Sequence, residues 1–393
     1  MGCLTAETGL RITGYSYPYF YTTDYYRGYS PRPNGEGWFW VENKNYLRIN
    51  SDGLRDWEHS KKKASGTLRI AVLGDSFVEA REVPLEDAFW FVMKENLRQC
   101  PALAGRSLEV VNFGVAGYGT AQELVTLREK VWDYSPDIVL LAVMPYNDII
   151  DNYHPLRRTP DVPYFIYRDG KLVYDVSFRD SSKYRWHDSY LFRIWIWTHN
   201  HSRLIQLVHH VQESVRRTIS TWKEQRRLSQ IKNARDPAQS ATPPERTALA
   251  QEVGINNLVY LEPVDKDWQE AWRVTEGLVL QVRDEVKARR VGFMVVTVST
   301  DIQVHPDTAT RQAFMQRLGV NNLLYPNLRL QSLAEREGIP FLDLAQPMHA
   351  YAEQNRVFLH GFGKNFGGAH WNPTGHWFAG QLIARRLCDQ LSK

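Results

Sequence analysis

A serine, an asparagine, a glycine and a histidine stand where together they could move an acyl group. In "LRIAVLGDSF", residues 68–77, an apolar run ends on Gly74-Asp75-Ser76. A serine at a tight strand-to-helix turn exposes its Oγ, and the backbone N–H groups that follow point toward a developing oxyanion. In "NFGVAGYGT", 112–120, Gly117 offers a backbone N–H that a substrate oxygen can approach closely, because no Cβ stands in the way. In "MPYNDIIDN", 144–152, the side-chain amide of Asn147 is a further donor. Far downstream, "GGAHWNPTGHWFAG", 367–380, carries His370 and His376. Pro373 marks a helix start, so His370 stands in the preceding loop as the candidate general base. His376 falls on the helix, where packing or capping is expected.

Each of these features also has a purely architectural explanation. Ser76 and Glu79, three residues apart, fit a capping box that begins a helix. Gly114, Gly117 and Gly119 suit turns, and Asn147-Asp148 suits a turn closed by side-chain-to-backbone bonds. Asp75 is expected to tie down neighbouring backbone. A glycine-rich loop after a strand can cradle phosphate, but neither a dinucleotide fingerprint nor GxxxxGK[ST] is present, so no cofactor is expected. The six-residue spacing of His370 and His376 is poor for helical metal ligation, and no metal is expected. Cys3, Cys100 and Cys388 are odd in number, far apart and without CxxC, which supports neither a disulfide framework nor a zinc site.

The elements that must position these residues follow from hydrophobic periodicity. "LRIAVLG", "LEVVNFG", "PDIVLLAV", "VGFMVVTVS" and "IPFLDL" read as strands, and segments such as "LEDAFWFVMKENLRQC" and "DWQEAWRVTEGLVLQVRDEVKARR" read as helices between them. Continuous apolar strands alternating with amphipathic helices predict a parallel five-stranded sheet in a three-layer α/β/α domain. Ligands bind beyond the carboxyl ends of such strands, which is where Ser76, Gly117 and Asn147 fall. We place this domain at 67–151 and 266–393. Residues 152–265 interrupt it with an insertion, partly helical and basic, containing a flexible linker near 236–248. Residues 1–66 form an aromatic-rich flank of loops and short strands, without a helical period, that packs on the core.

Composition limits the partners. The 393 residues are 43% hydrophobic and 23% charged with a net charge of +4, as in ordinary globular proteins, and no nucleic-acid-binding signature is present. No apolar run approaches a membrane span and no leader is readable, so the chain reads as soluble, with export or surface anchoring requiring a leader beyond these residues. The basic helical stretch from 201 to 235 reads as a solvated helical hairpin, with contact to a membrane surface or an acidic partner as the alternatives.

Four segments in this order resemble the blocks of the SGNH hydrolases, also called the GDSL esterase/lipase superfamily: "GDSF" with Ser76, "NFGVAG" with Gly117, "YND" with Asn147 and "HWNPTGH" with His370. The resemblance covers roughly 68–150 and 268–390. It implies a flavodoxin-like α/β fold and a serine esterase. Ser76 would be the nucleophile, His370 the base, and the N–H groups of Ser76 and Gly117 with the Asn147 side chain the oxyanion hole. The family commonly carries an Asp three residues before its histidine, and here that position is Gly367. A backbone carbonyl is therefore expected to orient His370, with Asp343 or Glu79 as the alternative third partner. The implied substrates are small carboxylic esters with short acyl groups, carbohydrate O-acetyl esters among them. An O-acyltransferase using the same acyl-enzyme and a non-catalytic binding protein with a decayed site are the alternatives.

Overall fold

The computed structural model describes residues 2–234 and 246–392. It begins with helix α1 (Gly2–Ile12) and two hairpins, β1 (Tyr21–Asp24) with β2 (Gly28–Pro31) and β3 (Glu36–Phe39) with β4 (Asn45–Arg48). Strand and helix then alternate through β5 (Thr67–Leu73), α2 (Ser76–Glu79), α3 (Phe89–Leu97), β6 (Ser107–Asn112), α4 (Thr120–Glu129), β7 (Ile138–Val143) and α5 (Pro145–Asp151). Next come α6 (His154–Arg157), a hairpin of β8 (Tyr164–Arg168) and β9 (Lys171–Asp175), α7 (Ser182–Asp188), α8 (Tyr190–His201), α9 (Arg203–Ala234) and α10 (Arg246–Val253). The alternation resumes with α11 (Lys266–Ala288), β10 (Gly292–Thr297), α12 (Thr308–Leu318), α13 (Tyr325–Arg336), β11 (Phe341–Asp343), α14 (Ala345–Asn355) and α15 (Pro373–Leu391).

The expected five strands form one parallel sheet in the order β11-β10-β7-β5-β6. Every residue of β5 is buried, which is why its run is apolar without alternation. Ala71 and Leu73 face one core with Leu124 of α4, Trp272 of α11 and Leu330 of α13. Ile70 and Val72 face the other with Trp90 and Met93 of α3 and Ile383 of α15. These two cores make the three layers. The register, Leu73 opposite Leu141, Val72 opposite Asn112 and Thr297 opposite Val143, brings the carboxyl ends of the strands to one edge.

Some expectations are corrected. The flank contains α1 as well as short strands, and none of α1's residues is buried, so it leaves no apolar period to read. The insertion contains the β8/β9 hairpin, and its last part rejoins the core: Leu249, Leu258, Val259 and Tyr260 are buried beside β7 residues. The linker expected near 236–248 falls at 236–245 outside the described residues, and 246–248 begin α10. Cys100 and Cys388, 288 residues apart, form a disulfide, because α3 and α15 pack side by side and bring them together.

Candidate active site

Ser76 is placed by a turn that only its neighbours' chemistry permits. A Cβ on Gly74 would stand 2.3 Å from the Val78 side chain, so the exit from β5 needs glycine. Asp75 is the N-cap of α2, its Oδ1 accepting from the Phe77 N–H at 2.9 Å. Ser76 is thus the first helical residue and its own N–H has no intrahelical partner. The capping box is not formed. Glu79 turns instead to the Tyr21 hydroxyl and the Ala116 N–H, each at 2.6 Å.

His370 reaches this turn from the loop before α15. Its Nε2 lies 2.7 Å from Ser76 Oγ, and its Nδ1 lies 2.8 Å from Glu42 Oε1. The backbone N–H of His370 also donates to Glu42 Oε2 at 3.2 Å, so one carboxylate holds both the ring and its backbone. These partners assign the tautomer: Nδ1–H donates to the carboxylate and Nε2 accepts from the serine hydroxyl. Glu82 Oε1 stands 3.6 Å from the same Nδ1. Burial pushes the His370 pKa down, but the Glu42 hydrogen bond and the charges of Glu82, Glu42 and Asp75 outweigh it and raise the pKa to about 9. Glu42 shows the reciprocal effect: burial raises its pKa, yet its bond to His370 leaves it lowered. Glu82 is raised, with burial the largest cause.

The expected orientation of His370 by a backbone carbonyl is therefore corrected, as are both expected acids. Asp343 is the last residue of β11, three strands from β5 and so about 14 Å across the sheet. Its Oδ1 accepts from Thr297 Oγ1 at 2.8 Å and Asn327 Nδ2 at 2.6 Å. Glu79 is committed to Tyr21 and Ala116 as described. No acid can replace Gly367 cheaply: its φ is +86° and a Cβ there would meet Phe358 at 2.9 Å and His305 at 3.0 Å. The histidine bonded to a carbonyl is His360, whose Nδ1 donates to Ala369 O at 2.6 Å and so fixes the loop that carries His370.

Glu42 comes from the aromatic flank. It sits in the β3/β4 turn with φ +59°, a left-handed conformation that a non-glycine residue holds only under constraint. The constraint is visible. Asn43 Nδ2 donates to Glu82 O at 2.8 Å, and Asn45 Nδ2 donates to Arg81 O at 2.9 Å and Val83 O at 2.6 Å. The hairpin is pinned across residues 81–83, which sets Glu42 and Glu82 beside His370. Sequence reading missed Glu42, because nothing local in "WFWVENKNY" links it to a histidine 328 residues away.

Gly117 and Asn147 are tied to the same turn. Gly117 has φ +77°, and a Cβ there would meet the Tyr29 hydroxyl at 2.8 Å. Among the described residues no acceptor faces its N–H, while its carbonyl accepts from Arg157 Nη2 at 2.5 Å. Glu79 holds the preceding Ala116 N–H, coupling this loop to α2. Asn147 Nδ2 donates to Asp75 Oδ2 at 3.2 Å, so Asp75 does tie down its surroundings, and Asn147 has a second N–H to give. Asn256, another residue not singled out in the sequence, donates to the carbonyl of Tyr146, next to Asn147, at 3.1 Å. His376 is elsewhere, as expected: buried on α15, its Nδ1 accepts from the Phe89 N–H at 3.3 Å and caps α3.

Glu42, Glu82 and His370 also have the spacing of a metal-binding group, with ligand atoms within 4.8 Å of one another. A cation there would use the same Nδ1 and Oε1 that form the 2.8 Å hydrogen bond, so the two arrangements exclude each other.

No family model matches the chain, and no curated protein does. Solved structures similar to it include an acetyl xylan esterase, AlAXEase (11% identity, 82% of this chain and 99% of that one, TM-score 0.38). A GDSL-like lipase from Bacteroides thetaiotaomicron shares 11% identity over 82% of this chain and 88% of that one (TM-score 0.33). A catalytic mutant of an acetylxylan esterase from Geobacillus stearothermophilus shares 11% over 84% and 96% (TM-score 0.36). The chemistry of this chain rests on its own residues.

Proposed function

We propose that the chain is a serine esterase of the SGNH type that cleaves small carboxylic esters through an acyl-enzyme on Ser76. The observation that carries this is the chain of contacts Ser76 Oγ, His370 Nε2, His370 Nδ1, Glu42 Oε1, at 2.7 and 2.8 Å. Such a chain of contacts activates a serine hydroxyl for attack on an acyl carbon. Ser76 Oγ attacks the ester carbonyl carbon as its proton passes to His370 Nε2, while Nδ1–H stays on Glu42 and stabilises the imidazolium. The Ser76 and Gly117 N–H groups and the free N–H of Asn147 receive the oxyanion, each worth about 3 kcal/mol of barrier. On collapse, the C–O bond to the alcohol breaks and Nε2–H protonates the leaving alkoxide. Water, deprotonated by the same Nε2, then attacks the acyl-enzyme and releases the acid and Ser76.

The alternative of a decayed binding protein started from a histidine without a carboxylate, and that premise fails once Glu42 is in place. Ser76→Ala tests the proposal. The wild type is expected to hydrolyse p-nitrophenyl acetate and to take a fluorophosphonate label at Ser76, located by peptide mass spectrometry. The variant should fold, lose the label and lose at least about 10³-fold in kcat/KM. Undiminished turnover in the variant would falsify the nucleophile assignment.

A further inference from the structure

Away from the site, α8 and α9 carry an unusual outer surface. On α8, Tyr190, Ile194 and Trp197 share one side and are 77%, 46% and 62% exposed. On α9, Val208, Val211, Val215, Ile219 and Trp222 recur every three or four residues, each about half exposed, which makes a single apolar stripe. Both helices bury the opposite side against one segment of the flank. The ring of Tyr19 lies 4.4 Å from His199 of α8 and 5.1 Å from His209 of α9, and that of Tyr17 lies 4.3 Å from His210. Gln206 accepts from the Tyr17 N–H and Asn200 from the Tyr19 N–H. The two apolar faces are therefore both turned away from the body of the protein.

Helix α1 sits at the corner between them. Glu7 accepts from the N–H groups of Arg203 and Leu204 and from Ser202 Oγ, holding α1 to the start of α9, yet Leu4 and Ile12 are 75% and 81% exposed. An eleven-residue helix that buries nothing is marginal in water. Its exposed apolar residues would gain by entering a less polar phase.

Charge decides what that phase is. Residues 190–234 hold eight Lys or Arg against two Glu, a larger positive excess than that of the whole chain. Arg216 and Lys223 border the α9 stripe, and Arg226 lies over the Trp222 ring at 5.3 Å. A second copy seated here in two-fold symmetry would set cation against cation. A negatively charged lipid surface suits both components, since indole rings favour the headgroup boundary and the positive excess beside the stripe, with Lys223 at its border, attracts anionic headgroups. Among the described residues no helix is long and apolar enough to cross a membrane, so the helices would lie in its plane.

We propose that the outer face of α8 and α9, with α1 beside it, docks on an anionic lipid bilayer, its Trp, Val and Ile side chains entering the headgroup boundary. The test uses the full chain and vesicles of phosphatidylcholine with about 30% phosphatidylglycerol. Co-sedimentation is expected, weakened on pure phosphatidylcholine and by about 0.5 M salt, and brominated lipid should quench tryptophan emission. The variant Trp197→Ser with Val211→Ser and Val215→Ser should bind at least about tenfold more weakly while melting like the wild type by circular dichroism. Failure of the wild type to sediment, or its sedimentation without quenching, overturns the proposal. So does a folded variant that binds undiminished. Dimers of the wild type that the variant disperses would also overturn it, assigning the face to a second copy. The readout is binding, so a failure of the esterase reading leaves it untouched.

Discussion

Glu42 takes two N–H groups of His370 from the opposite end of the chain, and its effect on the histidine gives the residue-scale prediction. Nε2 must be unprotonated to accept the serine proton. With the His370 pKa raised to about 9, the competent neutral form grows as pH rises through that value. The kcat/KM for an ester is thus expected to climb to about pH 9 and, near pH 7, to stand at about one hundredth of its plateau. Removing the nearby Glu82 charge by Glu82→Gln should move this rise to lower pH. Glu42→Gln should do the same and also cut the plateau by roughly 10²–10⁴-fold, because the tautomer is no longer held. A pH profile identical to wild type in both variants would reject the carboxylate pair as the cause. Ser76 and His370 were legible as candidates because the short blocks GDSF and HWNPTGH stand in order after a strand and before a helix, although Ser76 taken alone read as a helix cap. Glu42 was not, since its role exists only after the hairpin has folded over residues 81–83.

At the scale of elements, the sheet was readable because burial on both faces leaves no choice but apolar strands. The β8/β9 hairpin was missed although its turn carries a local signal. Asp169-Gly170 lies between two aromatic and aliphatic runs, and both residues have positive φ, 49° and 75°, as a two-residue hairpin turn of this kind requires. Helix α1 carried no such mark, because what holds it are side-chain contacts across nearly 200 residues, Glu7 accepting from the start of α9 and Arg11 donating to the His201 carbonyl. The β3/β4 hairpin matters most for chemistry, since Asn45 alone ties it to two carbonyls. Asn45→Ala leaves those acceptors without their donor and lets the Glu42 turn drift. A displacement near 1 Å is enough to cost roughly 10²-fold in rate. The expected result is a fall in kcat with little change in KM, accompanied by the shift of the pH profile toward Glu42→Gln. A loss of thermal stability with kcat and the pH profile unchanged would show that the hairpin is scaffold only.

At the scale of the molecule, α3 and α15 are joined at both ends, by the Cys100–Cys388 disulfide and by His376 on the Phe89 N–H. Sequence separation hid the first link, which depends on packing and not on any cysteine pattern, while the second followed from the helical position of His376. That histidine makes acid stability testable. Burial, with Arg55, His370 and His360 adding like charge, lowers its pKa from 6.5 to about 3. Between those values the unfolded chain binds a proton that the folded chain refuses, so stability falls as pH falls below 6.5, by about 1.4 kcal/mol for each unit once the unfolded group is charged. His376→Gln keeps an acceptor for Phe89 but cannot titrate. Denaturant unfolding at pH 6.5 and about pH 4.5 should show wild type losing roughly 2 kcal/mol more than the variant over that interval. Equal losses would mean that His376 is protonated in the folded chain, and then Phe89 N–H could not be its donor through the same nitrogen and α3 would start without that cap.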